Sequence, residues 1–227
     1  MKNETVDKKE YLKNNLENIF EKEIMGSSII DLFADSQELV IDSLLEDGLA
    51  KDIPIVGTVI KLSRIAFTVK DRFTAKKILK FIFSIKNTTE DQRKNFLIKL
   101  EENESYGQEA TSVLLMSLDR FDSIYKATLY GKLLIEVVNN NITIDEFKRY
   151  SYIIEKIFLN DLFHLKEFEK DKSKEYDITI AESLSQFGLL KVASFGGLTW
   201  EGGIENNSEK YALTNLGSKL LELDVIN

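Results

Sequence analysis

The 227-residue chain contains no cysteine, one proline, one histidine and one tryptophan. Without cysteine there is no disulfide scaffold, no thiolate metal site and no thiol nucleophile. The sole histidine, His164, restricts any imidazole-based triad or multi-histidine metal site to a single donor. Long apolar runs are also missing. Ile53 to Ile60 is uncharged, but Lys61 follows at once, well short of the roughly 20 apolar residues a spanning helix needs. The N-terminus, MKNETVDKKEYLKNN, lacks the apolar core of a secretory leader. The expectation is a cytoplasmic protein.

What is present is ordinary for a globular chain: 43% hydrophobic and 30% charged residues, with a formal net charge of −8. The charge is unevenly placed. Between Thr58 and Lys86 there are eight basic residues and one acid, Asp71, a local charge of +7 that leaves −15 for the rest of the chain. Lys61, Arg64, Lys70, Arg72, Lys76, Lys77 and Lys80 from this stretch, together with Trp200, form the candidate interaction surface. A basic amphipathic stretch suits an acidic protein, anionic lipid or nucleic-acid phosphate. The alternative is a solvated face, or one paired with acids elsewhere in the chain. The stems of Lys76, Lys77 and Lys80 are expected to lie over Ile78, Leu79, Ile82 and Phe83 with their ammonium groups in water. On that reading, reversing all three charges leaves the fold intact.

Helical periodicity dominates. Pro54 suits a first helical turn, where its missing N–H costs nothing. Ile55, Val59, Leu62, Ala66, Val69 and Phe73 follow at spacings of three and four, giving one long helix, a kinked one or two short ones before Lys86. A helix is also expected over Asp31 to Leu49. Thr89 with Gln92, and Thr143 with Glu146, have capping-box spacing. Apolar sets around Phe96 to Leu100, Val113 to Phe121, Leu129 to Val137 and Phe147 to Phe158 mark further helices. Lys166 to Tyr176 is charged and reads as a linker.

The end of the chain differs. A short helix over Ile178 to Phe187 ends at Gly188. Strands follow over Leu189 to Phe195 and Tyr211 to Leu213, bracketing a glycine-rich hairpin with Trp200 near its tip. Thr214 or Asn215 caps a closing helix. The expected fold is mainly α: a multi-helix body followed by a small winged-helix-like α+β module. The divisions are 1–50, a helical arm and first helix; 51–170, the helical body; and 171–227, the winged-helix-like module.

Residues 51 to about 160 resemble a bacterial, often prophage-borne family known as abortive-infection alpha. The resemblance rests on Lys51-Asp52-Ile53-Pro54-Ile55-Val56-Gly57-Thr58, on the basic stretch ending in Asp71-Arg72-Phe73, and on Leu118-Asp119-Arg120-Phe121-Asp122. Gly131-Lys132-Leu133 and Phe158-Leu159-Asn160-Asp161-Leu162 add to it, as does the tail Tyr211-Ala212-Leu213-Thr214-Asn215-Leu216-Gly217. It implies a role in phage exclusion or defence and carries no catalytic residue with it.

No other chemistry stands out. Asp161, His164 and Glu167 form a row at three-residue spacing that could offer metal donors, but Phe163, Leu165 and Phe168 around them suggest packing. There is no Gly-x-Ser-x-Gly elbow and no phosphate loop. The expectation is a non-enzymatic defence factor with no catalytic, cofactor or metal residues, acting through a protein partner. A membrane surface ranks second as partner and nucleic acid third; a homo-oligomer is left open. The alternatives are a winged-helix nucleic-acid regulator and a peripheral membrane effector using residues 54–86. The tail argues against the first: Glu175 to Asn227 holds three basic residues against eight acidic ones, too few to neutralise phosphate.

Overall fold

A computed structural model describes residues 16–24, 26, 30, 53–62, 69–102, 110–170, 176–194, 210–223 and 225–226. The helix expected over Asp31 to Leu49 lies outside these residues. The fold is mainly helical, with a two-stranded antiparallel sheet near the C-terminus. It comprises two compact units, Met1–Ser151 and Tyr152–Asn227.

The first unit contains α1 (16–24), α2 (Pro54–Leu62), α3 (Val69–Ser84), α4 (Glu90–Glu101), α5 (Ala110–Arg120), α6 (Ile124–Val138) and most of α7 (Ile144–Lys156). Pro54 opens α2, as its missing N–H allows. Both expected capping boxes form. Thr89 Oγ1 accepts from the Gln92 amide at 3.2 Å, and Gln92 Oε1 accepts from the Thr89 amide at 2.8 Å. Thr143 and Glu146 repeat the exchange at 3.2 and 2.8 Å. Each box satisfies helix-start donors that have no intrahelical acceptor. At the far end of α6 the chain turns through Asn140, whose φ of 59° is one that asparagine tolerates better than most residues.

Helix α3 packs most extensively against α6. Ala75, Ile78, Leu79 and Ile82 lie at i, i+3, i+4 and i+7 and are all buried. The contact is close because of Gly131: a Cβ there would lie 2.6 Å from Ser84 Cβ and 3.1 Å from the Phe81 carbonyl oxygen. One residue earlier, Tyr130 anchors an aromatic cluster. Its ring lies 5.6 Å from Phe81, 5.3 Å edge-on from Phe121 and 5.3 Å stacked on Phe147. Phe96 extends the cluster beyond Phe147, and Phe20 of α1 extends it beyond Phe81. Such pairs contribute about 0.5–1.5 kcal/mol each beyond area burial.

The second unit contains the end of α7, α8 (Leu159–Phe163), one 3-10 turn (His164–Lys166), α9 (Glu167–Lys170), α10 (Ile178–Gln186), β1 (Leu190–Ser194), β2 (Lys210–Leu213) and α11 (Asn215–Glu222). The linker expected from Lys166 is corrected over its first part, because Glu167–Lys170 is helical. Buried Leu165 ties this run to the unit, and the Phe168 ring lies 4.9 Å from Tyr176. The charge there marks one exposed helical face. Strands β1 and β2 pair in the register Leu190↔Leu213 and Val192↔Tyr211, with an irregularity before Ser194. Gly188, at φ 72°, ends α10. Thr214 caps α11 by accepting from the Gly217 amide at 3.1 Å, while its hydroxyl donates to the Gly188 carbonyl at 2.6 Å. The glycine-rich hairpin and Trp200 lie outside the described residues.

Gly131→Ala should destabilise the protein by about 1–3 kcal/mol, the usual range for forcing an extra carbon into a packed core. Urea denaturation of Gly131→Ala and of Gly131→Ala with Ser84→Gly checks this. The second change removes the clashing Cβ and should restore part of the loss.

Candidate functional site

Among the described residues, the cations of the basic stretch differ in exposure. The Lys61 side chain, Arg64 and Trp200 lie outside the described residues. Lys70 and Arg72, in the first turn of α3, are exposed, and Val69 beside them is 86% exposed. Lys76 is half-buried, and Lys80 is 9% exposed. Lys76, Lys80 and Arg72 are also engaged in interactions of their own.

Lys77 departs most from expectation, at 2% exposure. Its ammonium donates to the backbone carbonyls of Asp119 at 2.8 Å and Phe121 at 3.0 Å, and lies 5.1 Å from the centre of the Phe73 ring. The two carbonyls stand at the C-terminal end of α5, where helix acceptors lack amide partners and the helix dipole is negative. Lys77 therefore caps α5 from a neighbouring helix. Burial pushes its ammonium below the ordinary lysine range; Asp119 and Asp122 oppose that shift and Lys70 adds to it. The expectation that this ammonium sits in water is thus corrected. Its periodic position puts it beside Ile78 on the packed side of α3, and the carbonyls supply the polar partners that water would otherwise give.

A second buried cation was not singled out by sequence. Arg93 of α4 is 2% exposed. Its guanidinium donates to the carbonyls of Ile24 and Thr88, to the Gly26 carbonyl at 3.3 Å and to Thr88 Oγ1 at 3.4 Å. Arg93 thereby ties the end of α1 to the start of α4. The only signal for it was a lone arginine within a weakly amphipathic segment, which says nothing about an acceptor nearly 70 residues away. A third, Lys126 of α6, is buried and pairs with exposed Asp122 at 2.8 Å.

Glu23 is the buried acid of α1. It is 6% exposed, and its Oε2 has no hydrogen-bond partner. Burial raises its carboxyl above the usual range.

In the second unit, His164 Nδ1 and Glu167 Oε1 lie 2.9 Å apart. Asp161 does not join them: among the described residues no three His, Cys, Asp or Glu side chains are grouped as a metal site. The exposed positions of α10, Ile178, Thr179, Glu182 and Gln186, carry no cation. No described helix is long and apolar enough to cross a membrane.

No family model matches the chain, and neither a curated protein nor a solved structure matches it.

Lys77→Met should destabilise the protein by about 2–4 kcal/mol, since it strips a charged donor from two carbonyls at a helix end. Lys77→Glu should unfold it, and so should the triple reversal of Lys76, Lys77 and Lys80. Circular dichroism during thermal unfolding checks both. Glu23→Gln should act the other way. A carboxyl raised by burial favours the folded state below the usual carboxyl range and penalises it increasingly as pH climbs through the raised value. The variant should therefore be more stable than wild type by about 1 kcal/mol at pH 8. That gain should vanish as pH falls below the usual carboxyl range, as read by urea midpoints across a pH series.

Proposed function

We infer that this chain is a non-enzymatic binding protein that meets an acidic protein partner through the exposed start of α3. The observation that carries the reading is the patch of Val69, Lys70 and Arg72. An 86% exposed branched aliphatic side chain stands there beside two exposed cations. Exposed apolar area next to arginine is interface composition. Lys77 of the same helix serves the fold, so the interaction surface contracts to this first turn. An acidic partner is favoured because the patch belongs to a stretch of local charge +7 in a chain of net charge −8.

The biological setting is phage exclusion in the bacterial cytoplasm, on the strength of the resemblance to the abortive-infection alpha family. Within the second unit, α10, β1, β2 and α11 follow the element order of a winged helix. We assign that module to packing and protein contact. Its reader helix would be α10, whose exposed residues offer nothing to phosphate.

The test combines Val69→Ser, Lys70→Glu and Arg72→Glu. These side chains are exposed, so the melting temperature should stay within a few degrees of wild type. Phage plating efficiency on cells expressing the variant should return towards that of cells lacking the protein. A photo-crosslinker at position 69 should capture the same protein in replicate infections, and the charge reversals should abolish that product. Undiminished exclusion by a folded triple variant would refute the reading. Submicromolar, salt-sensitive binding to random duplex DNA would favour the winged-helix regulator instead.

A further inference from the structure

Beyond that patch, α1, α3 and α5 border an open cleft of about 270 Å³ in the first unit. Thr74 and Ile78 line it from α3 at i and i+4. Ser112, Leu115, Met116 and Asp119 line it from α5 at i, i+3, i+4 and i+7, so each helix gives one face. The lining is mostly apolar: buried Ile78 and Leu118, half-buried Leu16 and Leu115, and Met116 at 37% exposure. A methionine adapts its shape to what it meets. The volume exceeds the roughly 150 Å³ that holds a benzene ring and approaches the lower end of small-molecule sites.

The charged groups at the cleft are already engaged or balanced. Glu17 and Arg120 have interactions of their own. The Asp119 carboxylate acts on the Lys77 ammonium and is next in sequence to Arg120. A charged ligand group would lose hydration there without gaining a counter-ion. The hydroxyls differ. In other helices Thr58, Ser84 and Ser151 donate to the carbonyl four residues back, at 2.8, 2.7 and 2.6 Å, a bond that helical hydroxyls readily make. Thr74 and Ser112, which both line the cleft, have no hydrogen-bond partner among the described residues. A ligand that displaces solvent from them keeps their hydrogen bonds only if it carries a donor or acceptor of its own.

We propose that the α1–α3–α5 cleft binds a compact neutral molecule: an apolar body with one hydroxyl-like group that bonds to Thr74 or Ser112. This ligand site is separate from the exposed α3 patch, and its failure would leave the protein-binding reading standing.

Para-cresol is the probe. Toluene lacks its hydroxyl, and benzylammonium and phenylacetate carry charge. The chain has three methionines, so methyl-labelled methionine gives a sparse NMR spectrum, and the signal lost in Met116→Leu is that of Met116. Para-cresol should shift that methyl saturably through its ring current, with Kd of about 0.1–1 mM for a ligand of this size. Both charged probes should bind at least about threefold more weakly. Thr74→Val with Ser112→Ala nearly keeps the shape of the cleft and removes both hydroxyls. In that variant the affinity for para-cresol relative to toluene should fall by about threefold or more, the range of one net hydrogen bond. Leu115→Trp should fill the cleft and remove the saturable shift. An unshifted Met116 methyl, a charged probe that matches para-cresol, an unchanged cresol-to-toluene ratio in the double variant, or a shift that survives in folded Leu115→Trp would overturn the proposal. If Leu115→Trp fails to fold, the ratio decides; if the double variant fails to fold, Ser112→Ala and Thr74→Val are compared singly.

Discussion

The closure of helix ends by buried cations is the constraint on which the first unit rests. An α-helix leaves its last carbonyls without amide donors, and a compact bundle leaves little water to serve them. Here Lys77 reaches from α3 to the end of α5, and Arg93 reaches from α4 to the end of α1. The acceptors at those contacts are backbone carbonyls. The negative end of the helix supplies the compensating field. Removing either side chain would strand acceptors in the interior, where an unpaired polar group costs more than a net hydrogen bond returns.

Those caps operate within a frame set by the α3–α6 contact. Gly131 lets the two backbones approach, and Tyr130 next to it gathers Phe81, Phe121 and Phe147 into one aromatic cluster. Phe121 shows how the two devices join: its ring packs on Tyr130 while its carbonyl accepts from Lys77. The residue that ends α5 is therefore held by packing and by charge at once. Glu23 is the exception to this order, a buried carboxylate oxygen without a partner on a helix otherwise well secured by Phe20, Ile24 and the Arg93 fork.

Exposure divides α3 along its length. Its exposed first turn presents Val69, Lys70 and Arg72 to solvent, while Lys77 is withdrawn into the fold. The cations of one predominantly basic stretch thus have different surroundings in space. The first turn carries the proposed interaction with a partner, and Lys77 closes the end of α5.

Local features were legible from the sequence alone. The capping boxes at Thr89 and Thr143, the helix start at Pro54, the stop at Gly188 and the cap at Thr214 all depend on residues a few positions apart. Their hydrogen bonds close within the reach of one turn. The apolar stripe of α3 was legible for the same reason. What only the tertiary structure decided was the fate of each cation. Lys76 and Lys77 are adjacent and chemically identical, yet one is half-buried and the other lies against carbonyls more than 40 residues away. Neither the acceptors at the end of α5 nor the notch at Gly131 that brings α6 onto α3 is encoded near Lys77. Both exist only once the helices have packed, because a helix-end field acts over a few ångströms in space and has no counterpart in sequence spacing.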